Sequence, residues 1–220
     1  MPESKIYNMD CLAAMREMPD KAFSLAIVDP PYGLGDRLTS RGGKLGDTPT
    51  YKLYSESTRW DIAPGREYFY ELFRVSKNQI IWGGNYFDLP PSRCKICWDN
   101  DQHMPSLSAW ELGWTSFDTP SKIFKMTSTD LKRFHPTQKP IALYKWLLQN
   151  YAKPGDTILD THLGSGSSRI AAYDMGFDFT GYELDAEYFN ASEARFKNHI
   201  SNLKLFSPEE MYRPEQARMF

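Results

Sequence analysis

Short apolar runs alternate with amphipathic stretches along this chain, and each pattern predicts a different element. The compact run Phe23–Val28 is mostly apolar, as in a strand that is buried on both faces. Between Arg66 and Val75 large apolar residues recur at helical spacing, which predicts a helix with one buried face. The full pattern predicts strands over 5–7, 23–28, 79–82, 93–98, 108–114, 156–160 and 177–182, and helices over 11–18, 66–75, 140–151, 167–175 and 185–200.

The order of these elements indicates an α/β fold. From Asp156 to Ile200 the pattern predicts a strand, a glycine turn, a helix, a second strand and a second helix, which contains one βαβ unit. Because strands and helices alternate over the whole chain, we expect a doubly wound, Rossmann-like sheet that is mostly parallel. The length of 220 residues suits a single domain over residues 1–220.

Composition and cysteine usage exclude several classes of protein. Hydrophobic residues make up 41% and charged residues 25%, and the mean hydropathy is −0.56, which excludes disordered and collagen-like chains. No apolar run approaches the roughly 20 residues that span a bilayer, and the first residues lead into no hydrophobic stretch. We therefore expect no membrane span and no secretory signal. The three cysteines, Cys11, Cys94 and Cys97, fit a reducing cytoplasm better than a disulfide scaffold.

Cys94 and Cys97, together with His103, raise the question of a zinc site. Their spacing suits one pair of zinc ligands, but the sequence lacks a second cysteine pair. Residues 96–98 also have the pattern of a strand. We therefore expect no metal.

Basic residues are concentrated in two segments of a chain whose formal net charge is only −2. These segments are 33–60 and 93–134. One interpretation is a solvated face, and the other is contact with the phosphates of a nucleic acid. The candidate phosphate contacts are Arg37, Arg41, Lys44, Lys122, Lys125, Lys132 and Arg133.

A glycine turn follows the predicted strand 156–160 and opens the next helix. Its sequence is Asp160-Thr161-His162-Leu163-Gly164-Ser165-Gly166, and the helix start offers free backbone N–H groups. Glu183 ends the next strand, at the position where related folds hold a ribose diol. This pattern favours a nucleoside cofactor, and the alternative is a helix-start turn that binds no ligand. It is not a Walker loop, because no Gly-Lys-Ser/Thr follows.

The buried strand 23–28 ends in Asp29-Pro30-Pro31-Tyr32. A carboxylate and a proline carbonyl can accept both hydrogens of an amino group that is conjugated to a ring, while a tyrosine stacks on that ring. The tips of strands at the carboxyl edge of such a sheet are where ligands bind. The alternative is a simple turn in which Asp29 is a local cap.

Taken together, these motifs resemble those of the S-adenosylmethionine-dependent amino-methyltransferases of DNA. Asp29–Tyr32 precedes the turn Gly164–Gly166 and Glu183, and this order is similar to that of the circularly permuted beta group. His135–Pro140 resembles the segment that precedes the cofactor loop in that group, and Trp82–Phe87 fits the same family. The resemblance covers about residues 5–200.

The resemblance implies a DNA adenine-N6 methyltransferase that flips the target base out of the duplex and methylates it with S-adenosylmethionine. Asp29 and the Pro30 carbonyl would hold the amino group, Tyr32 would stack on the base, and Pro31 belongs to the same catalytic motif. The implied cofactor-binding residues are Asp10, Asp29, Thr137, Lys139, Asp160, His162, Gly164, Ser165, Gly166, Ser168 and Glu183. DNA would be the partner of the two basic segments, and a homodimer is left open.

Several alternatives stay open at this point. An acid at the first position of Asp29–Tyr32 is closer to the adenine-N6 type, but cytosine N4 in DNA and adenine in RNA are other targets. A non-catalytic nucleic-acid-binding module with a retained cofactor pocket is the alternative from another class. His162 stands where the family usually has phenylalanine, so it is either a ring that packs on the cofactor or a structural histidine.

Overall fold

The computed structural model describes residues 1–34, 61–100, 108–127 and 138–205. The elements in these ranges are, in chain order, β1 (Ser4–Asn8), α1 (Cys11–Glu17), β2 (Phe23–Val28), α2 (Arg66–Val75), β3 (Ser76–Trp82), β4 (Lys95–Asp99), β5 (Trp110–Thr115), β6 (Lys122–Lys125), α3 (Ile141–Tyr151), β7 (Thr157–Asp160), α4 (Ser167–Asp174), β8 (Asp178–Glu183) and α5 (Ala186–Leu205). No helix in these ranges is long and apolar enough to cross a membrane.

The described strands form one eight-stranded sheet in the order β1-β8-β7-β2-β3-β5-β4-β6. Pairing is parallel from β1 through β8, β7 and β2 to β3. β5 is antiparallel to both of its neighbours, β3 and β4, whereas β6 is parallel to β4. Among the described strands, β5 therefore runs against all the others. The predicted doubly wound, mostly parallel α/β sheet is confirmed.

β2 and β7 lie side by side near the centre of the sheet, and the chain winds outward from them in two directions. Such a switch point leaves a crevice beyond the carboxyl ends of the strands. Asp29 follows β2, Asp160 ends β7 and Glu183 ends β8. Parallel pairing thus brings three acids to one edge of the sheet, which we call the site edge.

Helices cover both faces of this sheet. Leu25 and Ile27 of β2 belong to a core cluster with Leu147 of α3, on one face. Ala26 belongs to a second cluster with Leu72 of α2, on the other face. Since successive strand residues point to opposite faces, burial on both sides explains why residues 25–28 are all apolar and at most 1% exposed.

Most predicted elements occur close to their predicted bounds, and those at 23–28 and 66–75 are confirmed residue by residue. The pattern does not predict β6, because its apolar Ile123 is exposed and no buried face marks the strand. α5 continues to Leu205, beyond the predicted end at 200, since no glycine or proline stops the helix there.

Candidate active site

A cavity of about 700 Å³ opens at the site edge. The residues that follow β2, β7 and β8 and those that begin α1 supply much of its wall. Of the predicted site residues, the wall contains Asp10, Asp29, Pro30, Pro31, Tyr32, His162, Gly164 and Glu183. Lys139, Asp160, Ser165, Gly166 and Ser168 lie behind this wall, and Thr137 lies outside the described residues.

Both carboxylate oxygens of Asp29 accept hydrogen bonds from side chains. Oδ1 accepts from the Tyr32 hydroxyl at 2.7 Å, and Oδ2 accepts from the Lys139 ammonium at 2.6 Å. Both bonds are charge-assisted, because the acceptor is a carboxylate. The bond from the neutral hydroxyl is nevertheless the weaker one, because the Lys139 ammonium adds a full positive charge of its own. An incoming amino group can therefore displace the donor on Oδ1 more easily than the donor on Oδ2.

The Tyr32 ring is held against the segment that follows β3. It stacks on Tyr86, with ring centres 4.9 Å apart and planes 18° apart, and makes an edge contact with Phe87. Gly83 also lies against the ring: its φ is +67°, and a Cβ there would come within 2.2 Å of Tyr32 Cε1. Trp82–Phe87 thus positions the tyrosine of the predicted catalytic motif.

Lys139 is buried behind the cavity wall, with 2% of its side chain exposed. Its ammonium also contacts Glu111 Oε2 at 3.1 Å and lies 5.3 Å from the centre of the Trp82 ring. Burial alone would lower the pKa of Lys139, but the carboxylates of Asp29 and Glu111 outweigh it and raise that pKa. The prediction that Lys139 contacts the cofactor has no support in this geometry, because its ammonium faces these two acids.

Asp160 and Ser168 shape the glycine turn from below. Asp160 Oδ1 accepts from the backbone N–H of His162 at 3.0 Å, and Oδ2 accepts from the Ser168 hydroxyl. Burial raises the pKa of Asp160 to about 7, although both hydrogen bonds oppose the rise. These contacts make Asp160 a support of the turn.

Ser165 and Gly166 lie at the start of α4 and also support the turn. The Ser165 carbonyl accepts from Arg195 at 2.9 Å, and its hydroxyl pairs with that of Ser167 at 3.1 Å. Gly166 has a φ of +73°, and a Cβ there would lie 3.2 Å from Ser192 Cβ. Glycine therefore permits both the left-handed turn and the close approach of α5.

Glu183 lies in the cavity wall with its carboxylate fixed by the backbone. Oε2 accepts from the N–H of Gly164 at 2.8 Å, and Oε1 accepts from the N–H of Asp185 at 3.0 Å. Burial raises the pKa of Glu183, while these N–H donors act against the rise. Each oxygen keeps a further lone pair, so the carboxylate can still accept from the two hydroxyls of a ribose.

His162 lines the cavity and belongs to a buried chain of hydrogen bonds. The Tyr68 hydroxyl lies 2.6 Å from Thr161 Oγ1, which lies 3.0 Å from His162 Nδ1. Burial lowers the pKa of His162 to about 4, so the ring is neutral near pH 7. A neutral, flat ring in the wall agrees with either interpretation of this residue, since it is structurally bonded and also faces the cavity.

The described cavity wall is strongly acidic. It contains five carboxylates and neither lysine nor arginine. The acids are Asp10, Asp29, Asp61, Glu183 and Asp185. Asp10 also caps α1 by accepting from the N–H of Leu12 at 2.9 Å. Such a wall favours a ligand with positive charge and disfavours phosphate groups.

Sequence reasoning missed Asp61 and Glu111. Asp61 accepts from the N–H of Gly33 at 3.0 Å and so anchors the turn that follows Tyr32. Glu111 reaches the site edge because β5 runs against its neighbours, which places its first residues there. One feature of the sequence could have indicated a role for Glu111: it is the one charged residue in the predicted strand over 108–114.

The described candidates for DNA contact lie at opposite ends of β6. Lys122 donates to Asn150 Oδ1 at 2.6 Å and lies 5.5 Å from the centre of the Tyr151 ring, at the edge away from the site. Lys125 lies at the site edge, 76% exposed and 3.4 Å from the Asp99 carboxylate. The remaining candidates, Arg37, Arg41, Lys44, Lys132 and Arg133, lie outside the described residues. Of these two lysines, only Lys125 is positioned to contact DNA that covers the cavity.

Cys94 and Cys97 lie around the start of β4. Cys94 is buried, with Sγ 3.6 Å from the Tyr151 hydroxyl, and Cys97 is partly exposed. His103 lies outside the described residues. Within the described ranges, no group of three or more His, Cys, Asp or Glu side chains could hold a metal ion.

The second half of this site falls within a region that matches a known family. Residues 98–194 match the N6/N4 methyltransferase family model, which is described as DNA methylase. The matched residues include Lys139, the glycine turn and Glu183, and the Asp29–Tyr32 motif precedes them in the chain. Over residues 98–194 the chain is therefore similar to the DNA methylases of this family.

Similarity to individual proteins extends along most of the chain. The Type II methyltransferase M1.MboII of Moraxella bovis is 22% identical over 244 residues, which cover 85% of this chain and 94% of that protein. TTHA0409 from Thermus thermophilus, solved with S-adenosyl-L-methionine, has a TM-score of 0.57 at 16% identity and covers 90% of this chain and 96% of its own. The PvuII DNA methyltransferase, cytosine-N4-specific, has a TM-score of 0.61 at 15% identity, with 89% and 87% covered. These two structures share the fold of this chain.

Proposed function

We propose that this DNA methyltransferase transfers a methyl group from S-adenosylmethionine to the N6 amino group of adenine in DNA. One observation carries most of the proposal. Asp29 stands in the wall of an acidic cavity with Oδ1 held by a neutral hydroxyl that an amino group can replace.

The cavity wall fits S-adenosylmethionine better than a phosphate-bearing nucleotide. When bound, this cofactor supplies an activated methyl group on a positively charged sulfonium. Five carboxylates and the absence of lysine and arginine from the described wall favour such a cation. Glu183 would hold the ribose hydroxyls, and the neutral ring of His162 would pack against a flat part of the cofactor.

The role of Asp29 is to orient the amino group of the flipped base. Its carboxylate accepts an N–H and so fixes the direction of the nitrogen lone pair, while Tyr32 supplies an aromatic surface for the base. The amino nitrogen would form its bond to the methyl group as the bond from that methyl group to the sulfonium sulfur breaks, which would leave a neutral thioether, and the nitrogen would then release one proton to the solvent. Since an aryl amine need not lose that proton before the methyl group arrives, Asp29 serves as a hydrogen-bond acceptor and not as a strong base.

The identity of the target base is the finer part of the proposal. The acid at the first position of Asp29–Tyr32 supports adenine. Cytosine N4 is the second candidate, because the family covers both amino groups and the cytosine-N4-specific PvuII enzyme has the same fold. At 15% identity the similarity to the PvuII enzyme concerns the fold alone. The acid in the Asp29–Tyr32 motif is therefore the stronger argument about the target base.

Analysis of the product nucleosides tests this proposal. Genomic DNA is incubated with the purified protein and S-adenosylmethionine, digested to nucleosides and examined by mass spectrometry, with the Asp29→Ala variant as the control. N6-methyldeoxyadenosine is expected with the wild-type protein. N4-methyldeoxycytidine would establish the second candidate, and methylation of RNA alone would refute DNA as the substrate. A methylation map of DNA from cells that express the protein then gives the recognition sequence.

A further inference from the structure

Lys139 lies between two carboxylates, next to the proposed reacting group but behind the cavity wall. Its ammonium is 2.6 Å from Asp29 Oδ2 and 3.1 Å from Glu111 Oε2. Its side chain is 2% exposed, compared with 13% for Asp29 and 31% for Glu111. Water therefore screens the pair of Lys139 and Asp29 only weakly.

Stability alone does not explain a lysine at this depth. Removing an ammonium from water is expensive, and the replacement of a buried ion pair by apolar side chains often leaves stability unchanged or improves it. A buried charge that contacts the carboxylate of the site is better explained by control of that carboxylate.

The two hydrogen bonds of Asp29 differ in a way that fits such control. Tyr32, which donates to Oδ1, lines the cavity as Asp29 does, whereas Lys139, which donates to Oδ2, does not. A charge-assisted bond on Oδ2 restrains rotation of the carboxylate plane. Oδ1 then keeps its position when the amino group replaces the Tyr32 hydroxyl.

Glu111 gives the lysine side chain a second fixed point. A lysine has a long, flexible stem, and one ion pair leaves its ammonium free to swing around its partner. The contact with Glu111, together with the Trp82 ring 5.3 Å away, restricts the ammonium to one position beside Asp29.

We propose that Lys139, restrained by Glu111, is a positioning residue that fixes the Asp29 carboxylate for the amino group of the target base. This inference rests on the proposed function, because it assigns Lys139 a role in amino-group methylation in place of a contact with the cofactor.

The test measures single-turnover methyl transfer to DNA at saturating S-adenosylmethionine, with cofactor affinity determined separately by titration calorimetry. Lys139→Met should slow transfer at least about tenfold while cofactor affinity changes less than about threefold. Lys139→Arg should recover part of the rate, and Glu111→Gln should slow transfer less than Lys139→Met. The matched control is Lys145→Met, which removes the lysine of an ion pair with Asp174 and should leave the rate within about twofold.

A double variant tests whether Lys139 acts through Asp29. In an Asp29→Asn background, Lys139→Met should reduce the residual rate by less than about twofold further. An equal fold-loss in both backgrounds would overturn the proposal. So would a wild-type rate in Lys139→Met, or a loss of cofactor affinity with an unchanged rate at saturation.

Two further outcomes have a different meaning from those that overturn the positioning role. A wild-type protein that transfers no methyl group to DNA refutes the proposed function, and the positioning role with it. If thermal unfolding shows that Lys139→Met does not fold, the rates of Lys139→Arg and Glu111→Gln test the positioning role instead. If both of those variants keep the wild-type rate, the positioning role is wrong.

Discussion

The carboxylates of this site are each oriented by donors that are already in place. Glu183 is fixed by two backbone N–H groups, Asp160 by a backbone N–H and a hydroxyl, and Asp29 by two side chains. Groups that are ordered in advance lose less conformational freedom when a ligand binds. The Tyr32 donor on Asp29 can be exchanged, whereas the backbone donors on Glu183 cannot, which suits a reacting site and a binding site respectively.

Replacement of Glu183 tests the binding part of the site. Glu183→Gln turns one acceptor oxygen into an N–H donor that opposes a backbone N–H, so affinity for S-adenosylmethionine should fall by about 1–3 kcal/mol. Titration calorimetry measures it, with the exposed Glu187→Gln as the control. Unchanged affinity in a folded Glu183→Gln protein would remove Glu183 from the cofactor site.

Two variants of Tyr32 separate its ring from its hydroxyl. The amino group is proposed to displace the hydroxyl from Asp29 Oδ1, so Tyr32→Phe should keep much of the single-turnover rate. Tyr32→Ala should lose stacking worth about 1–3 kcal/mol, which corresponds to a fall of roughly one to two orders of magnitude in the rate. Equal losses in both variants would show that the hydroxyl is required and that stacking is the wrong assignment.

Sequence reasoning located Asp29 and Glu183 because each directly follows or ends a strand whose apolar pattern is strong. It named Lys139 but predicted neither the contact of Lys139 with Asp29 nor that with Glu111, because these residues come from distant parts of the chain. A local motif shows which side chain is present, but the hydrogen bonds of that side chain depend on how distant strands pair in the sheet.

At the scale of elements, the adjacency of β2 and β7 and the reversal of β5 create the site. β7 pairs with β2 through Leu25 and Ala26, and this pairing brings the ends of two distant motifs to one edge. The reversed β5 then delivers Glu111. The βαβ pattern predicted the parallel part of the sheet, whereas nothing in the short run Lys122–Lys125 marked β6 as a strand.

The turn after β3 is the element whose geometry is easiest to test. Gly83→Ala should cost more stability than Gly155→Ala, because both glycines have positive φ but only a Cβ at Gly83 would overlap the Tyr32 ring. We expect about 1–2 kcal/mol of backbone strain at each site and a further cost of roughly 1–3 kcal/mol at Gly83. Urea unfolding compares the two variants. Equal destabilisation would mean that Tyr32 moves aside without cost.

At the scale of the whole molecule, a formal net charge of −2 hides an uneven distribution. The cavity wall is acidic, while the exposed Lys125 lies at the same edge of the sheet and the bonded Lys122 at the opposite one. A duplex that presents a flipped base to the cavity must lie over the site edge. The charge pattern of the sequence could not distinguish these two lysines, because the distinction depends on the unpredicted strand between them.

The salt dependence of DNA binding tests this placement. If Lys125 contacts a phosphate, Lys125→Gln should reduce the slope of log affinity against log salt by about 0.9. Lys122→Gln should leave the slope unchanged. Fluorescence anisotropy titrations at several salt concentrations give both values. A reduced slope for Lys122→Gln alone would place the DNA elsewhere.

The central claim is that Asp29 orients the amino group that receives the methyl group. The most direct measurement is single-turnover methyl transfer to DNA by Asp29→Ala, at a concentration of S-adenosylmethionine shown by calorimetry to saturate the variant. Loss of a charged acceptor at the reacting nitrogen should slow transfer by about a hundredfold or more, while cofactor is still bound. Transfer by Asp29→Ala at the wild-type rate would contradict the claim.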